Sequence, residues 1–335
     1  MKKPEFAQYL SDYLMSYLPE QLGASKNTIK SYRDSFKIFL IYCRDELKIK
    51  PEKLTLDKFN HSLITDYLLW LEETRGCSIS TRNHRLSVIH AFFRYIVYEN
   101  PEYLNICTEL LSIKPKHAPK KAIDYLSIEE LKRIFSMPKI NTVQGKRDLA
   151  ILTLLYDSGA RVQELIDLKY RDLRLDNPAT IKLTGKGNKA RIVPLMPDTA
   201  KILNVYTCSA MNFNHDQQLF LNRSNSKLSR SGIEYIIKKY VKQASEVNSR
   251  LLGKKVTPHI FRHSKAMHLV QANVNIIYIR DILGHVSVQT TEVYAKADSR
   301  AKRKALEEAS KNIVPNTKFT KEKENELLDW LDSIK

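Results

Sequence analysis

The sequence predicts a mainly α protein with a small β-sheet, divided into an all-helical amino-terminal domain and a mixed α/β second domain. Three features carry that expectation: a helical apolar rhythm from Pro4 to about Leu111, a basic proline-containing stretch after it, and one clear hairpin pattern further on. The 335 residues exceed the usual size of one domain, and a hydrophobic fraction of 43% supplies two ordinary cores.

In the first region Ile29, Tyr32, Phe36, Phe39 and Leu40 recur at the spacing of one helix face, and Leu86, Ile89, Phe92, Phe93 and Ile96 form a second such stripe. Ser78 to Arg85 precede that stripe with hydroxyls and with Arg82 and Arg85 near a helix start. Such an end can hold phosphates, and it equally describes an ordinary capped, solvated face. The run Lys114-Pro115-Lys116-His117-Ala118-Pro119-Lys120-Lys121 lacks apolar periodicity and reads as an extended linker. Its Lys116, Lys120 and Lys121 suit it to lie along a polyanion.

Beyond the linker, Ser127 and Glu130 have the spacing of a capping box that opens a helix. Thr180 to Thr184, the turn Gly185-Lys186-Gly187-Asn188 and Ala190 to Leu195 make the hairpin. Ser229 to Glu246 and Pro258 to Ala272 are helical by pattern. Near the end Pro315 interrupts the helix, and Lys321 to Ile334 follows with Leu327, Trp330, Leu331 and Ile334 on one face. A helix this short is marginal alone, so its apolar face should be buried, either on its own chain or on a neighbour. The expected division is 1–112 helical domain, 113–122 linker, 123–310 second domain and 311–335 tail.

Composition bounds the partner. There are 55 Lys and Arg against 37 Asp and Glu, a formal balance of +18. That surplus suits nucleic acid, although a basic but inert surface has the same charge. Cys43, Cys77, Cys107 and Cys208 form no CxxC pair, so neither a zinc site nor a disulfide framework is expected. No signal segment or membrane-spanning run is visible, and a reducing cytoplasm fits best.

Four short motifs carry chemistry. Gly159-Ala160-Arg161-Val162-Gln163-Glu164-Leu165 places Arg161 and Glu164 on one helical face, which alone also describes a surface ion pair. In Thr257-Pro258-His259-Ile260-Phe261-Arg262-His263, Thr257 is positioned to cap and Pro258 suits the first helical position. His259 and Arg262 then converge near a helix amino terminus, which favours an anion or is simply a polar first turn. Ile282-Leu283-Gly284-His285 reads as a helix end with Gly284 left-handed and His285 just beyond it. Tyr294 follows nine positions later, one of 17 tyrosines.

The ordered set Arg161, Lys186, His259, Arg262, His285 and Tyr294 resembles the active-site signature of the tyrosine recombinase family. The likeness runs from Ala122 to about Ala309, and the preceding helices are similar to that family's core-binding, SAM-like domain. The resemblance implies that Tyr294 attacks a DNA phosphate, leaving a 3′-phosphotyrosyl bond and a free 5′ hydroxyl, with no cofactor and no metal. Arg161 and Arg262 can fork onto phosphate oxygens, His259 and His285 can donate hydrogen bonds or pass a proton, and Lys186 is the candidate general acid. Glu164 orients Arg161. The implied partners are a double-stranded DNA site and a homotetramer joining two sites through a Holliday junction, with the tail exchanged between protomers. The short boxes look Xer-like, and the chain opens on the presumed core-binding domain without an arm-binding one. A type IB topoisomerase and a catalytically silent DNA-binding regulator are the alternative readings.

Overall fold

Polar caps decide where the amino-terminal helices begin. Ser25, Asn60 and Ser78 accept hydrogen bonds from the backbone N–H groups of Thr28, Leu63 and Thr81. These open α2 (Lys26–Asp45), α3 (His61–Glu73) and α4 (Ile79–Glu99). Before them, α1 (Glu5–Asp12) continues as a π-helical stretch over Tyr13–Gln21 that carries Pro19, a residue with no N–H to offer a regular α-turn. After them comes α5 (Leu104–Leu111). The computed structural model describes residues 5–119, 122–208, 214–247, 254–297 and Trp330. It divides the chain into two compact units, 1–121 and 122–335.

The first unit has an aromatic core. Phe36 and Phe39 of α2 and Leu86, Ile89, Phe92, Phe93 and Ile96 of α4 are all buried, with Ile29, Tyr32 and Leu40 packed at its edge. Phe92 meets Phe6, Tyr13 and Phe36 edge-on at centroid distances of 5.7, 5.3 and 5.1 Å. That geometry sets positive ring edges against negative faces. At the start of α4 the basic residues are already engaged. Arg82 lies 3.2 Å from the Glu72 carboxylate, and Lys116 Nζ donates to the same group at 2.8 Å. Asn83 exchanges two hydrogen bonds with the Lys116 backbone, at 2.7 and 3.0 Å. The start of the proline-containing stretch, expected as an extended linker, is therefore strapped to the helices before it. Arg85 is half-buried nearby, and Lys120 and Lys121 lie outside the described residues.

In the second unit the Ser127–Glu130 capping box is fully formed and opens α6 (Ile128–Phe135). Then come α7 (Val143–Asp157), α8 (Val162–Asp167) and an antiparallel sheet of β1 (Leu173–Arg174), β2 (Thr180–Thr184) and β3 (Ala190–Pro194) in that order. Ile181 faces Val193 and Leu183 faces Arg191, which fixes the inward face of the hairpin. Gly187 and Asn188 supply its positive φ values, 74° and 58°. The remaining helices are α9 (Pro197–Cys208), α10 (Arg230–Val247), α11 (Pro258–Gln271), α12 (Ile276–Leu283) and α13 (Val288–Ala297).

The large core of this unit joins Ile151, Leu152 and Leu155 of α7 to the hairpin and to Ile233 and Ile237 of α10. A smaller cluster holds Ala266, Met267, Ile279, Leu283 and Tyr294. One cap differs from expectation. Thr257 has the extended backbone of an N-cap, but its side chain makes no capping bond, and Pro258 alone fits the first turn of α11. The tail face of Leu327, Leu331 and Ile334 lies outside the described residues, where only Trp330 is placed. No helix among the described residues is long and apolar enough to cross a membrane.

Fully buried Asp148 pins α7 to α10, accepting from Arg147 at 2.7 Å and from the Tyr240 hydroxyl at 2.9 Å. Asp148→Ala takes the acceptor from the Tyr240 hydroxyl and leaves Arg147 only its bond to the Leu221 carbonyl, and breaking such a buried pair costs about 3–5 kcal/mol. Amide hydrogen exchange in α7 and α10 of the full chain should accelerate accordingly, with α2 and α4 unaffected.

Candidate active site

The end of α12 organises the second unit's polar centre. Gly284, at φ 66°, turns the chain left-handed and leaves three consecutive carbonyls facing outward. Each takes an arginine: Arg191 Nε donates to Ile282 at 2.8 Å, Arg262 Nη2 to Leu283 at 2.7 Å and Arg161 Nη2 to Gly284 at 3.1 Å. A helix carboxyl terminus carries partial negative charge, so it is a natural seat for cations. A Cβ on Gly284 would stand 2.8 Å from Arg191 Nη1, so the fit as well as the φ angle calls for glycine.

Two of the three cations share one anion directly. Glu164, 4% exposed, accepts from Arg161 Nη1 at 2.9 Å and from Arg191 Nη1 and Nη2 at 3.0 and 2.8 Å. It also accepts from the Arg161 backbone N–H at 2.8 Å, in the manner of a capping box. Burial pushes its carboxyl up, but the hydrogen bonds from Arg191 and the Arg161 backbone, with the arginine charges, hold it below the usual carboxylate range. Three arginines against one carboxylate leave the centre positive by two charges.

Arg262, 4% exposed, is the most enclosed of the three, with Nη1 also donating to Gly159 at 2.7 Å. Burial and the Arg161 and Arg191 charges lower it to about 10, so it stays protonated at neutral pH. The same forces act on the imidazoles. Burial, then Arg262, Arg161 and Arg191, press His285 down to about 4, and desolvation, Arg262 and Arg161 lower His259. His285 is thus neutral at pH 7. Its Nδ1 meets Thr291 Oγ1 at 2.9 Å, so that Thr291, fully buried, orients the ring.

Tyr294 closes the arrangement. It is 4% exposed, its ring lies parallel to that of His285 at 6.3 Å, and its hydroxyl is 2.8 Å from His263 Nδ1. Burial raises its hydroxyl above the ordinary phenol value, against the opposing pull of Arg262. Beside it a cleft of about 490 Å³ is lined by Arg161, Gly185, Lys189, Arg191, Gly284 and His285. The backbone of Lys186 stands in the hairpin turn at this mouth.

The structure therefore brings Arg161, Glu164, Arg262, His259, His285 and Tyr294 to one place, while Arg82, Arg85 and Lys116 belong to the first unit. Reading the sequence missed Arg191, His263 and Thr291. Arg191 had a signal: it alternates in phase with Val193, so it points inward and needs a buried partner. His263 is four residues from His259, hence on the same helical face. Among the described residues no cluster of His, Cys, Asp and Glu could hold a metal ion.

Comparison with known proteins agrees on one family. The phage integrase family profile matches residues 124–300, and its N-terminal SAM-like domain matches residues 11–100. An integrase/recombinase of Sinorhizobium fredii, y4rC, is 33% identical over 334 residues, covering 99% of each chain. The tyrosine recombinase XerD of Oceanobacillus iheyensis is 32% identical over 293 residues, 86% of this chain and 93% of its own. The fold is shared with XerH bound to difH DNA after cleavage (TM-score 0.67, 23% identity, 90% of this chain and 84% of that one). It is also shared with the Tn1549 transposon integrase bound to transposon-end DNA (TM-score 0.69, 19% identity, 89% and 98%).

Glu164→Gln removes the shared anion while keeping its shape. Losing charge-assisted hydrogen bonds should cost about 1.5–3 kcal/mol at neutral pH. Because the folded carboxyl is depressed, this stabilisation is present above the unfolded value near pH ~4.3 and is lost as pH falls through the lower folded value. Denaturant titrations should show the two proteins differing at pH 7 and converging in acid.

Proposed function

The chain belongs to the phage integrase family and is a tyrosine site-specific recombinase; from that premise we propose that Tyr294 is its nucleophile and that Arg161, Lys186, His259, Arg262 and His285 serve its phosphate. The observation that carries this reading is the positive centre on the α12 carbonyls, set beside a tyrosine hydroxyl within electrostatic reach of Arg262. A phosphodiester there finds two guanidinium forks for its non-bridging oxygens, and charge growing on those oxygens in the transition state is met by fixed donors. Neutral His285 touches Thr291 through Nδ1 and, as the Nε2–H tautomer, adds a donor, and His259 donates from the first turn of α11. Glu164 and Arg191 are positioning residues that act through Arg161.

The Tyr294 oxygen bonds to phosphorus as the bond from phosphorus to the 5′ oxygen breaks. The products are a 3′-phosphotyrosyl link and a free 5′ hydroxyl, whose departing oxygen takes its proton from Lys186. Attack by another 5′ hydroxyl reverses the step. The bond count is conserved, so no nucleotide cofactor is consumed. Double-stranded DNA is the substrate, in keeping with the +18 charge and with the DNA held by the XerH and Tn1549 integrase structures. Arg82, Arg85 and Lys116, with Lys120 and Lys121, are offered as backbone contacts of the first unit.

Exchange between two sites through a Holliday junction requires four such centres, so the working assembly is a homotetramer. The tail, with its apolar face of Leu327, Trp330, Leu331 and Ile334 beyond Pro315, packs in trans on a neighbouring protomer and couples assembly to cleavage. The setting is the cytoplasm, where DNA is at hand.

Two experiments test this reading. Tyr294→Phe should bind DNA like the parent and form no covalent complex with a nicked suicide substrate; a DNA-linked band on a denaturing gel would remove Tyr294 from its role. Truncation after Asn312 should weaken binding cooperativity and recombination on paired sites. A shortened chain that assembles and recombines like the full one rules out trans docking.

A further inference from the structure

Resting on Tyr294 as nucleophile, we propose that His263 is a catalytic residue, the base that takes the Tyr294 proton as the phosphotyrosyl bond forms. The geometry carries it. His263 Nδ1 and the Tyr294 hydroxyl are 2.8 Å apart, inside the range for direct proton transfer, with ring centroids 5.6 Å apart. Tyr294 is buried and packs with Ala266, Met267, Ile279 and Leu283, so the proton of its hydroxyl needs a local acceptor. Phenols ionise near pH 10, and burial moves this one higher, so attack at neutral pH cannot draw on a standing tyrosinate population.

His263 is suited to accept. Its ring is part-buried and faces His259 and Arg262 on α11, Asp124 from the segment before α6, and Tyr294 and His285 from beyond α12. Desolvation, His259 and Arg262 lower it, and Asp124 opposes them, so it rests neutral; in the proposed step it is the Nε2–H tautomer, whose Nδ1 lone pair accepts from Tyr294. Asp124 also offers a countercharge to the imidazolium once the proton has moved. His259, one turn earlier on the same helix, stands 6.2 Å away between centroids and is exposed at the first turn. It remains free to donate to the phosphate.

The step balances. The phenolic O–H proton passes to His263 Nδ1, the Tyr294 oxygen bonds to phosphorus, and the bond from phosphorus to the 5′ oxygen breaks. The leaving oxygen collects a separate proton from the general acid. In rejoining, an incoming 5′ hydroxyl gives its proton back to the group that served as general acid, its oxygen bonds to phosphorus as the bond to Tyr294 breaks, and His263 returns its proton to the phenolate. One residue thus serves the nucleophile while another serves the leaving group.

His263→Asn tests the idea, because asparagine keeps a hydrogen-bond acceptor near Nδ1 but is too weak a base to hold the proton. Single-turnover cleavage of a nicked duplex should fall about 10²- to 10⁴-fold, the range for loss of a general base. DNA binding should be unchanged. The variant's rate should keep rising beyond pH ~10, toward the buried phenol's own ionisation, while the parent levels off below neutrality. A sulfur at the bridging 5′ position, which relieves the need for a leaving-group proton, should not rescue it. Cleavage within threefold of the parent, a parallel pH profile, or rescue by the sulfur substrate each overturns the proposal. Peptide mapping of the parent's covalent complex keeps the two readings apart. A DNA adduct on another tyrosine sinks the nucleophile assignment itself, whereas an adduct on Tyr294 with a parent-like His263→Asn sinks only the role of His263.

Discussion

Three arginines within reach of one another repel, and the second unit exists in its observed form because the end of α12 gives them something to hold. Ile282, Leu283 and Gly284 each offer a carbonyl that the helix has no further turn to satisfy, and each accepts from a different guanidinium. The arginines arrive from three places: the cap of α8, strand β3 and the first turns of α11. The same contacts that gather charge therefore tie the hairpin, the α7–α8 corner and α11 to one helix end. Glu164 completes the balance by cancelling one charge of the three.

From that arrangement the protonation state of the site follows. A net positive centre in part-buried surroundings makes every added proton costly, so His285, His259 and His263 are all lowered. Neutral imidazoles keep one donor and one acceptor each, whereas imidazolium would offer donors alone. The tyrosine feels two opposed forces. Arg262 favours its anion, but burial disfavours it more, and the hydroxyl stays protonated. On the proposed reading, the arginines can thus stabilise charge that develops during reaction without ionising Tyr294 beforehand.

Legibility in the sequence divided along the reach of each signal. Local patterns were plain: the stripes of α2 and α4, the Ser127–Glu130 box, the hairpin and the left-handed Gly284 depend on residues a few positions apart. The order Arg161, Lys186, His259, Arg262, His285 and Tyr294 could be read as a family resemblance, and five of the six are drawn together with Glu164, the Lys186 side chain lying outside the described residues. What spacing could not convey was partnership across the chain. Arg191 meets Glu164 across 27 residues and Ile282 across 91, and only the fold joins them. Thr257 shows the converse: its local pattern favoured a cap, and the side chain makes none. The Lys116 strap to Glu72 and Asn83 was hidden because proline and lysine together suggest an open chain, while tertiary hydrogen bonds decide otherwise.

The charge balance also links substrate to chemistry. An anion seated between Arg161 and Arg262 offsets the potential that keeps the neighbouring imidazoles neutral, so each becomes a better base when the site is filled than when it is empty. By reciprocity, a proton gained on an imidazole tightens the hold on that anion. A phosphodiester carries one negative charge and the centre carries two surplus positive ones, so occupancy halves the excess without reversing it. With Tyr294 as the proposed nucleophile, the arginines then remain net positive toward the second charge that grows on the phosphoryl oxygens as it attacks. A centre with a single unpaired arginine would be neutral at that moment, with no surplus left for the developing charge. The count of three arginines to one buried carboxylate is therefore matched to a monoanionic substrate passing through a more highly charged transition state.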